Sequence, residues 1–293
     1  MYQKYKEARW YSVLANKKVR CGLCPRECII SDMQSGFCLV RKNVEGKLYS
    51  AAYGFPVALQ IDPIEKKPFA EFMPGTKTFS IGAYGCNLNC VFCQNYHLSR
   101  GHYNEKQAGQ YVSPQFAVQL AIKNECESVA FTYNEPTTFA EYCIDTAQEA
   151  KKAGLASVLV TNGYITERAA QDLYPNIDAA NIDMKGFSEE FYLSMTGSHL
   201  QPVLNAIKYF YNIGKHLEIT NLVIPGKNDS SEMIDSFLDW VAGNLSKDVP
   251  IHFLAYHPDY KLHDIPGTPA ATLIKIKNIA NDKGFSHIYL GNI

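Results

Sequence analysis

Three cysteines in one short stretch constrain this chain more than any other feature of its sequence. Cys86, Cys90 and Cys93 are spaced C-x3-C-x2-C within residues 82–95. Three thiolates this close together face a common point only if the backbone loops around it, and cysteine thiolates are the usual ligands of iron–sulfur clusters. A cluster of four irons and four sulfides (4Fe-4S) that takes only three such ligands keeps one iron open. The stretch therefore predicts a cluster-binding loop with an iron available for chemistry.

A structural zinc site is the competing interpretation of the same loop. Zinc takes four nitrogen or sulfur ligands, and His97 would complete a set with the three cysteines. Zinc ligands usually come as two separated pairs, however, and these three cysteines form one run. The spacing therefore favours the cluster.

A second set of cysteines lies nearer the N-terminus. Cys21, Cys24, Cys28 and Cys38 are spaced C-x2-C-x3-C-x9-C, which gives four soft ligands within eighteen residues. Four such ligands make a complete metal site. We predict that residues 1–75 form a separate N-terminal module that binds a second metal. Two occupants remain open, a zinc ion that staples the module or an auxiliary iron–sulfur cluster that relays electrons.

The rest of the chain, residues 76–293, alternates between strand and helix patterns. The predicted strands are residues 78–83, 128–133, 156–160, 179–184, 217–224, 251–256 and 287–290. Six repeats of strand and helix indicate an α/β fold with a parallel sheet that is closed, or nearly closed, into a barrel. A flat, doubly wound sheet is the alternative. In the N-terminal module we predict a short helix at residues 5–14 and short strands at residues 46–55 and 57–61. We expect Lys66 and Lys67 to be solvated, and the alternative is that they face the cluster and its anionic ligands.

Polar residues follow the predicted strands where each strand ends. Both candidate folds carry their chemistry at the C-terminal ends of parallel strands, the end that also carries the cysteine loop. The polar residues at these positions are Asn134, Glu135, Asn162, Asp183, Lys185 and His257. We therefore expect them to gather near Cys86, Cys90 and Cys93.

The composition indicates the cellular compartment and argues against some classes of partner. The chain has nine cysteines, and its first residues lack the apolar segment of a signal peptide, so we expect a cytoplasmic protein whose thiols ligate metal. Cys126 and Cys143, which belong to neither set, are expected to be buried free thiols. The net charge of −1 gives no basic field for nucleic acid, and no apolar run is long enough to span a membrane.

The cysteine loop resembles the signature of radical S-adenosylmethionine (SAM) enzymes, C-x3-C-x-aromatic-C after a strand. The chain is also similar to the pyruvate formate-lyase-activating enzyme family, and within it to the branch called AmmeMemoRadiSam. The stretches that carry this resemblance are CGLCPRECII with GFCLVR, IDPIEKKPF, PGTKTFSIGAYGCNLNCVFCQNY, TYNEPT, VTNGY, NIDMKGF and LVIPGKND. The resemblance implies a partial (β/α)6 barrel.

The resemblance also implies which residues bind SAM. The family usually carries Gly-Gly-Glu-Pro where this chain has residues 133–136, which implies that Glu135 accepts a hydrogen bond from the amino group of SAM. Asn134 replaces a glycine of that motif, and its larger side chain implies displaced contacts to the amino group.

Three further matches concern the other strand ends. Asp183 and Lys185 match the family's Asp-x-Lys and lie on one face of a strand, which implies that Lys185 meets the SAM carboxylate and Asp183 orders a polar neighbour. The alternative for this pair is an internal salt bridge at the barrel rim. Asn162 and His257 match family positions near SAM or substrate, and for His257 a structural histidine is the alternative.

The implied reaction is one-electron chemistry on SAM. A reduced cluster cleaves SAM to a 5′-deoxyadenosyl radical, which abstracts hydrogen from a substrate, and no general base is required. The substrate is a glycine of a glycyl radical enzyme or, as the alternative, a small molecule or another protein. The implied electron donor is a flavodoxin or ferredoxin. A non-enzymatic metal-binding protein is the third hypothesis.

Overall fold

The computed structural model describes residues 5–101 and 110–293, in which short strands precede an alternation of strands and helices. The strands are β1 (Lys6–Glu7), β2 (Tyr11–Val13), β3 (Val19–Cys21), β4 (Ile29–Ile30), β5 (Arg41–Val44), β6 (Lys47–Ser50), β7 (Ala58–Pro63), β8 (Lys77–Gly82), β9 (Ser128–Phe131), β10 (Ala156–Thr161), β11 (Ala179–Asp183), β12 (His216–Val223), β13 (Ile251–Ala255) and β14 (Ile288–Gly291). The helices are α1 (Tyr96–Ser99), α2 (Pro114–Lys123), α3 (Ala140–Lys152), α4 (Glu167–Leu173), α5 (Glu189–Phe191), α6 (Leu200–Asn212), α7 (Ser231–Asn244) and α8 (Ala270–Asp282). Within the described residues, none of these helices has the length and apolar character needed to cross a membrane.

A single sheet of eight strands carries the fold. Its order is β14-β13-β12-β11-β10-β9-β8-β7, and the seven strands from β8 to β14 are all parallel. Each parallel strand pairs with the next strand in the chain. Every connecting segment therefore runs from the C-terminal end of one strand back to the N-terminal end of the next. The sheet has β7 and β14 as its two edges. The predicted α/β fold, a partial barrel of parallel strands, is therefore confirmed.

The N-terminal segment follows the prediction only in part: β6 and β7 overlap the strands predicted at residues 46–55 and 57–61, but the first residues differ. Two antiparallel sheets form there, β1-β6-β5 and β2-β3-β4, so the helix predicted at residues 5–14 was wrong. Tyr11 pairs with Cys21 and Val13 with Val19, and this tertiary pairing overrides a weak local helix pattern. Trp10, with φ of 46°, separates β1 from β2.

One strand of the predicted N-terminal module belongs to the large sheet. β7 pairs antiparallel with β8 over its whole length, from Ala58 opposite Gly82 to Pro63 opposite Lys77. A separate boundary at residue 75 stays a prediction, but the edge of the barrel sheet begins before it.

The N-terminal sheets pack directly on the barrel. Trp10 and Leu23 belong to the same buried cluster as Phe139 and other barrel residues. The indole N–H of Trp10 donates to Asp172 Oδ2 at 2.7 Å, and the Thr166 backbone N–H donates to the carbonyl of Leu23 at 3.1 Å. The two parts of the chain therefore share one continuous core.

Glu218, near the start of β12, is a buried carboxylate with four hydrogen-bond donors. Its two oxygens accept from His216 Nε2 at 2.9 Å and His252 Nε2 at 2.5 Å. The backbone N–H groups of Ala70 and Glu71 donate to it at 2.9 and 3.0 Å. Burial alone would raise the pKa of Glu218, but these hydrogen bonds lower it to about 2.

We expect Glu218→Gln to lower the free energy of unfolding by on the order of 3 kcal/mol at neutral pH. The folded pKa lies below the ordinary value of 4.5, so this stabilisation is present above about pH 4.5 and is lost as the pH falls toward about 2. Urea denaturation at descending pH should show the gap between the two proteins closing in that window. A gap that does not change with pH would contradict the assignment, and Glu125→Gln, at an exposed site, is the control.

Candidate active site

A cavity of about 310 Å³ opens at the C-terminal edge of the parallel strands. Its wall takes one residue or more from nearly every strand end, including Thr132 after β9, Val160 in β10, Thr220 in β12, Leu254 in β13 and Asn292 after β14. This volume lies at the lower end of the range typical of pockets for small ligands. The cavity lies at the edge where the sequence predicted chemistry.

The three cysteines of the loop after β8 lie together on one side of this cavity. Cys86, Cys90 and Cys93 all line it. The sulfur of Cys86 accepts a hydrogen bond from the Leu88 backbone N–H at 3.3 Å. Burial raises the pKa of the Cys90 thiol to about 12, although the positive charge of Lys185 opposes the rise. The loop therefore presents three thiols to one space.

Backbone hydrogen bonds hold the cysteine loop in place. Asn89 N–H donates to the carbonyl of Thr196 at 2.9 Å, and Val91 N–H donates to that of Met195 at 3.0 Å. Lys261 N–H in turn donates to the carbonyl of Val91 at 3.0 Å. The loop is thus fixed by two distant segments of the chain, which favours a preformed site.

Arg100 binds the loop carbonyls from one side. Its Nη2 donates to the carbonyl of Cys86 at 2.8 Å and its Nε to that of Leu88 at 3.0 Å. Its Nη1 donates to the carbonyl of Phe37 at 2.8 Å. One guanidinium therefore joins the cysteine loop to the N-terminal segment.

Arg26 makes a parallel connection from the N-terminal segment. Its Nε donates to the carbonyl of Asn87, and its Nη2 donates to that of Gly197 at 2.5 Å. The guanidinium carbons of Arg26 and Arg100 lie 3.6 and 4.1 Å from the centroid of the Phe37 ring. Both arginines thus contact one aromatic ring next to the second cysteine set.

Asn134 braces the cysteine loop. Its Oδ1 accepts from the Ala83 N–H at 3.0 Å, and its Nδ2 donates to the carbonyl of Gly85 at 2.7 Å. The larger side chain that replaces the family's glycine is therefore directed at the loop backbone. Asn134 also lines the cavity.

Tyr133, which precedes it, has a backbone φ of 72°, a region that favours glycine. Its hydroxyl donates to Asp62 Oδ2 at 2.6 Å, and Lys67 Nζ lies 2.7 Å from the same oxygen. Lys67 is only 4% exposed and lines the cavity, so the prediction that it is solvated was wrong. The side chain of Lys66, 71% exposed, is solvated as predicted.

Glu135 joins the ends of β9 and β10. Its Oε1 accepts from the Thr137 N–H at 2.8 Å and the Thr161 hydroxyl at 2.6 Å, and its Oε2 accepts from the Asn162 N–H at 2.8 Å. Burial raises the pKa of Glu135, and these hydrogen bonds oppose the rise. The carboxylate lines the cavity but already serves three protein donors.

Asn162 carries this connection to the cysteine loop. Its Nδ2 lies 2.9 Å from Asn87 Oδ1 and 3.8 Å from the sulfur of Cys86. Glu135 holds the backbone of Asn162, and Asn162 in turn contacts the thiol. The three residues form one hydrogen-bonded row along the cavity wall.

Asp183 and Lys185 form an ion pair at the end of β11. Lys185 Nζ lies 2.8 Å from Asp183 Oδ2, and both side chains are partly exposed to the cavity. Burial opposes the charge of Lys185, yet the Asp183 carboxylate and the Cys90 thiol together raise its pKa. The two residues therefore form the salt bridge given above as the alternative, and they line the same cavity as the thiols. Their contacts with SAM stay a prediction.

The structure does not bring the two histidines to the cavity. His257 is exposed on the loop after β13 and is absent from the cavity wall, and His97 is exposed in α1. Across residues 5–101 and 110–293, no three His, Cys, Asp or Glu side chains are arranged to share one metal ion. The zinc alternative that needed His97 therefore lacks its fourth ligand.

Two buried polar atoms on the cavity wall test whether a polar ligand fits. Gln94 Nε2 and Thr220 Oγ1 are buried without a hydrogen-bond partner in the described chain. Unpaired buried donors are costly, so such atoms point to a ligand that supplies the partner. With three thiols for a cluster and an ion pair matched to a zwitterion, the donor set fits a 4Fe-4S cluster and SAM.

The second cysteine set also gathers in one place. Cys21, Cys24, Cys28 and Cys38 line a separate cavity between the N-terminal sheets and the barrel. Cys126 and Cys143 are buried free thiols, as predicted. These six thiols are all buried or half-buried.

Sequence reasoning missed the residues that support the loop. Arg26 lies between Cys24 and Cys28, and Arg100 lies a few residues after Cys93, so a charged side chain close to a cysteine motif was the available signal. Lys67 gave no local signal, because its partners Asp62 and Tyr133 come together only through β7 and the loop after β9.

Known proteins resemble this chain in both sequence and fold. The family model described as the radical SAM superfamily matches residues 80–240. An uncharacterized protein of Methanocaldococcus jannaschii is 39% identical over 288 residues, which are 98% of this chain and 85% of that protein. The pyruvate formate-lyase 1-activating enzyme of Escherichia coli K12 is 22% identical over 213 residues, 68% of this chain and 87% of that enzyme.

A solved structure extends the likeness of the fold. A radical SAM methyltransferase from Sphaerobacter thermophilus matches with a TM-score of 0.58 at 12% identity, over 75% of this chain and 67% of that one. The predicted similarity to radical SAM and activating enzymes is therefore confirmed.

Proposed function

This chain belongs to the radical SAM superfamily of enzymes, and on that premise we propose that it cleaves SAM reductively at a 4Fe-4S cluster held by Cys86, Cys90 and Cys93. One observation carries the proposal. The three thiols share a cavity with the Asp183–Lys185 ion pair and with buried polar atoms that have no partner in the described chain. A thiol-lined cavity without those polar groups would serve a structural metal equally well.

The cluster and SAM would supply the reactive groups, and the side chains of the protein would position them. When bound, the cluster gives one electron to SAM, which yields methionine and a 5′-deoxyadenosyl radical that takes hydrogen from a substrate. Lys185 offers its ammonium to the SAM carboxylate, and Asp183 offers a carboxylate to a cationic or hydroxyl group. Gln94 and Thr220 offer hydrogen bonds to the polar edges of the nucleoside.

Glu135 acts through other residues. Because its oxygens already accept three protein hydrogen bonds, its main effect is to fix Asn162, whose amide group faces Cys86. It retains acceptor capacity on Oε2 for the amino group of SAM. Apolar side chains at Val160, Leu222 and Leu254 keep water from the same cavity.

The substrate proposed first is a glycine of a glycyl radical enzyme. Its support is the relative from Escherichia coli, whose name states that it activates pyruvate formate-lyase. A small-molecule substrate is the second candidate, supported by the modest volume of the cavity. For the electron donor we propose a flavodoxin or ferredoxin, in a reducing cytoplasm that suits nine free cysteines.

The test is reductive SAM cleavage by the reconstituted enzyme. Anaerobic loading with iron and sulfide, followed by dithionite and SAM, should release 5′-deoxyadenosine, measured by liquid chromatography and mass spectrometry. Unreduced protein is the control and should release none. Iron-loaded protein that leaves SAM intact after reduction would overturn the proposal. A glycine-centred radical signal that appears when a glycyl radical enzyme is added to the reaction would identify the substrate class.

A further inference from the structure

The four-cysteine cavity lies at an interface rather than inside the N-terminal sheets. Its wall contains Cys21, Cys24, Cys28 and Cys38 from the N-terminal segment, and also Asn87 and Thr138 from the barrel. A zinc ion that only staples a small module needs no wall from another part of the chain. This cavity instead borders the loop that carries the other three cysteines.

Arg41 gives this cavity a buried positive charge with free donors. The side chain is 1% exposed, lines the cavity, and pairs through Nη1 with Glu141 Oε1 at 2.7 Å. Its Nε and Nη2 atoms are buried without a hydrogen-bond partner among the described residues. Because an unpaired buried donor is costly, these two groups point to an anionic ligand with several acceptor atoms.

The arrangement of the thiols favours a cluster over a single zinc ion. One zinc ion needs all its sulfurs about 2.3 Å from a single point. In the part of the chain that the structure describes, no three such ligands are arranged to share one ion, although four thiols surround this cavity. A cluster offers each thiolate a different iron and also presents sulfides, to which Arg41 N–H groups would donate.

The two cysteine sites are in direct backbone contact. A Cβ atom on Gly85, which has φ of 89°, would lie 2.2 Å from the carbonyl oxygen of Cys38, so only glycine fits there. Gly85 immediately precedes Cys86. The path from one ligand set to the other therefore crosses a single non-bonded contact.

We propose that the four-cysteine cavity holds an iron–sulfur cluster that passes electrons to the cluster on Cys86, Cys90 and Cys93. A one-electron donor such as a reduced flavoprotein or ferredoxin is oxidised by one electron at the outer cluster. The outer cluster then returns to its oxidised state as the inner one is reduced. The proposal rests on the proposed function, since the inner cluster is the acceptor.

The surface near the outer site suits electron entry. Ile29, Met33 and Phe37 lie on the segment that carries Cys28 and Cys38, and they are 57%, 48% and 37% exposed. Exposed apolar side chains of this size are typical of surfaces that contact another protein. An electron that enters here has the outer cluster between the surface and the inner site.

Metal analysis of the full-length, anaerobically reconstituted enzyme gives the first test. The relay requires more iron than one 4Fe-4S cluster holds, roughly six to eight per chain with matching sulfide, and no zinc. Roughly four iron with one zinc would overturn the relay and leave the proposed function standing. Protein without iron would overturn both.

Variants assign the iron to each site. The chain carrying Cys86→Ser, Cys90→Ser and Cys93→Ser together should keep roughly two or four iron with sulfide. The matched variant Cys24→Ser should lose only the iron of the four-cysteine site. It assigns the iron equally well if the triple variant fails to fold. Unchanged iron in Cys24→Ser would overturn the assignment.

Electron paramagnetic resonance tests the contact between the sites. Two reduced clusters this close broaden each other's signals, so the spectrum of the dithionite-reduced parent should differ from the sum of the spectra of the two variants. Spectra that simply add would overturn the relay.

Discussion

Replacing Cys90 with serine is expected to remove the inner cluster and to lower SAM cleavage by more than about three orders of magnitude. Cys90 lies between the other two thiols in the loop and faces Lys185 across the cavity. Serine keeps the shape of the side chain but is a poor ligand for iron. Because the cluster supplies the electron that cleaves SAM, the remaining residues cannot perform the cleavage without it.

Iron content, visible absorption and release of 5′-deoxyadenosine measure this effect together. Cys126→Ser is the control, because Cys126 is a buried free thiol that lies outside both cavities. It should retain full iron and full cleavage. A Cys90→Ser protein that keeps its iron and still cleaves SAM would contradict the ligand assignment.

Glu135→Gln is expected to reduce SAM cleavage by roughly 100-fold and the free energy of unfolding by about 2 kcal/mol. The carboxylate accepts two backbone N–H groups and one hydroxyl, and glutamine replaces one accepting oxygen with a donating NH₂. In either orientation a backbone N–H meets another donor in a site that is 1% exposed. Asn162 then loses its fixed position beside Cys86.

Steady-state kinetics and urea denaturation separate the two effects. Glu189→Gln is the control, since Glu189 also accepts a backbone N–H, from Leu200 at 2.9 Å, but its side chain is 51% exposed. That variant should change stability by less than about 0.5 kcal/mol and leave cleavage intact. Equal behaviour of the two variants would show that the buried hydrogen bonds of Glu135 do not matter.

Local patterns made the barrel predictable. Each strand or helix has a pattern that can be recognised within ten or fifteen residues. Helix caps such as Ser113, Thr166 and Ser230 accept backbone N–H groups of the first turn. The cysteine spacing was equally local, so the gathering of Cys86, Cys90 and Cys93 followed from a single stretch.

Long-range contacts explain the errors. The N-terminal strands have two to four residues each, and β1 pairs with the distant β6. Lys67 is buried because Asp62 and Tyr133 meet it, and Tyr133 lies far along the chain. The saturated carboxylate of Glu135 depends on donors from two strand ends, which no local pattern reveals.

The contacts of Arg26 and Arg100 with Phe37 have a practical consequence for anyone who wishes to shorten this protein. A chain trimmed to begin at residue 76 would keep the seven parallel strands but would lose the edge strand β7, Arg26 and the carbonyl of Phe37. The cysteine loop would then lack its contacts with the N-terminal segment, and apolar surface of the barrel would be exposed to solvent. A minimal catalyst cut from this sequence should therefore retain its first quarter.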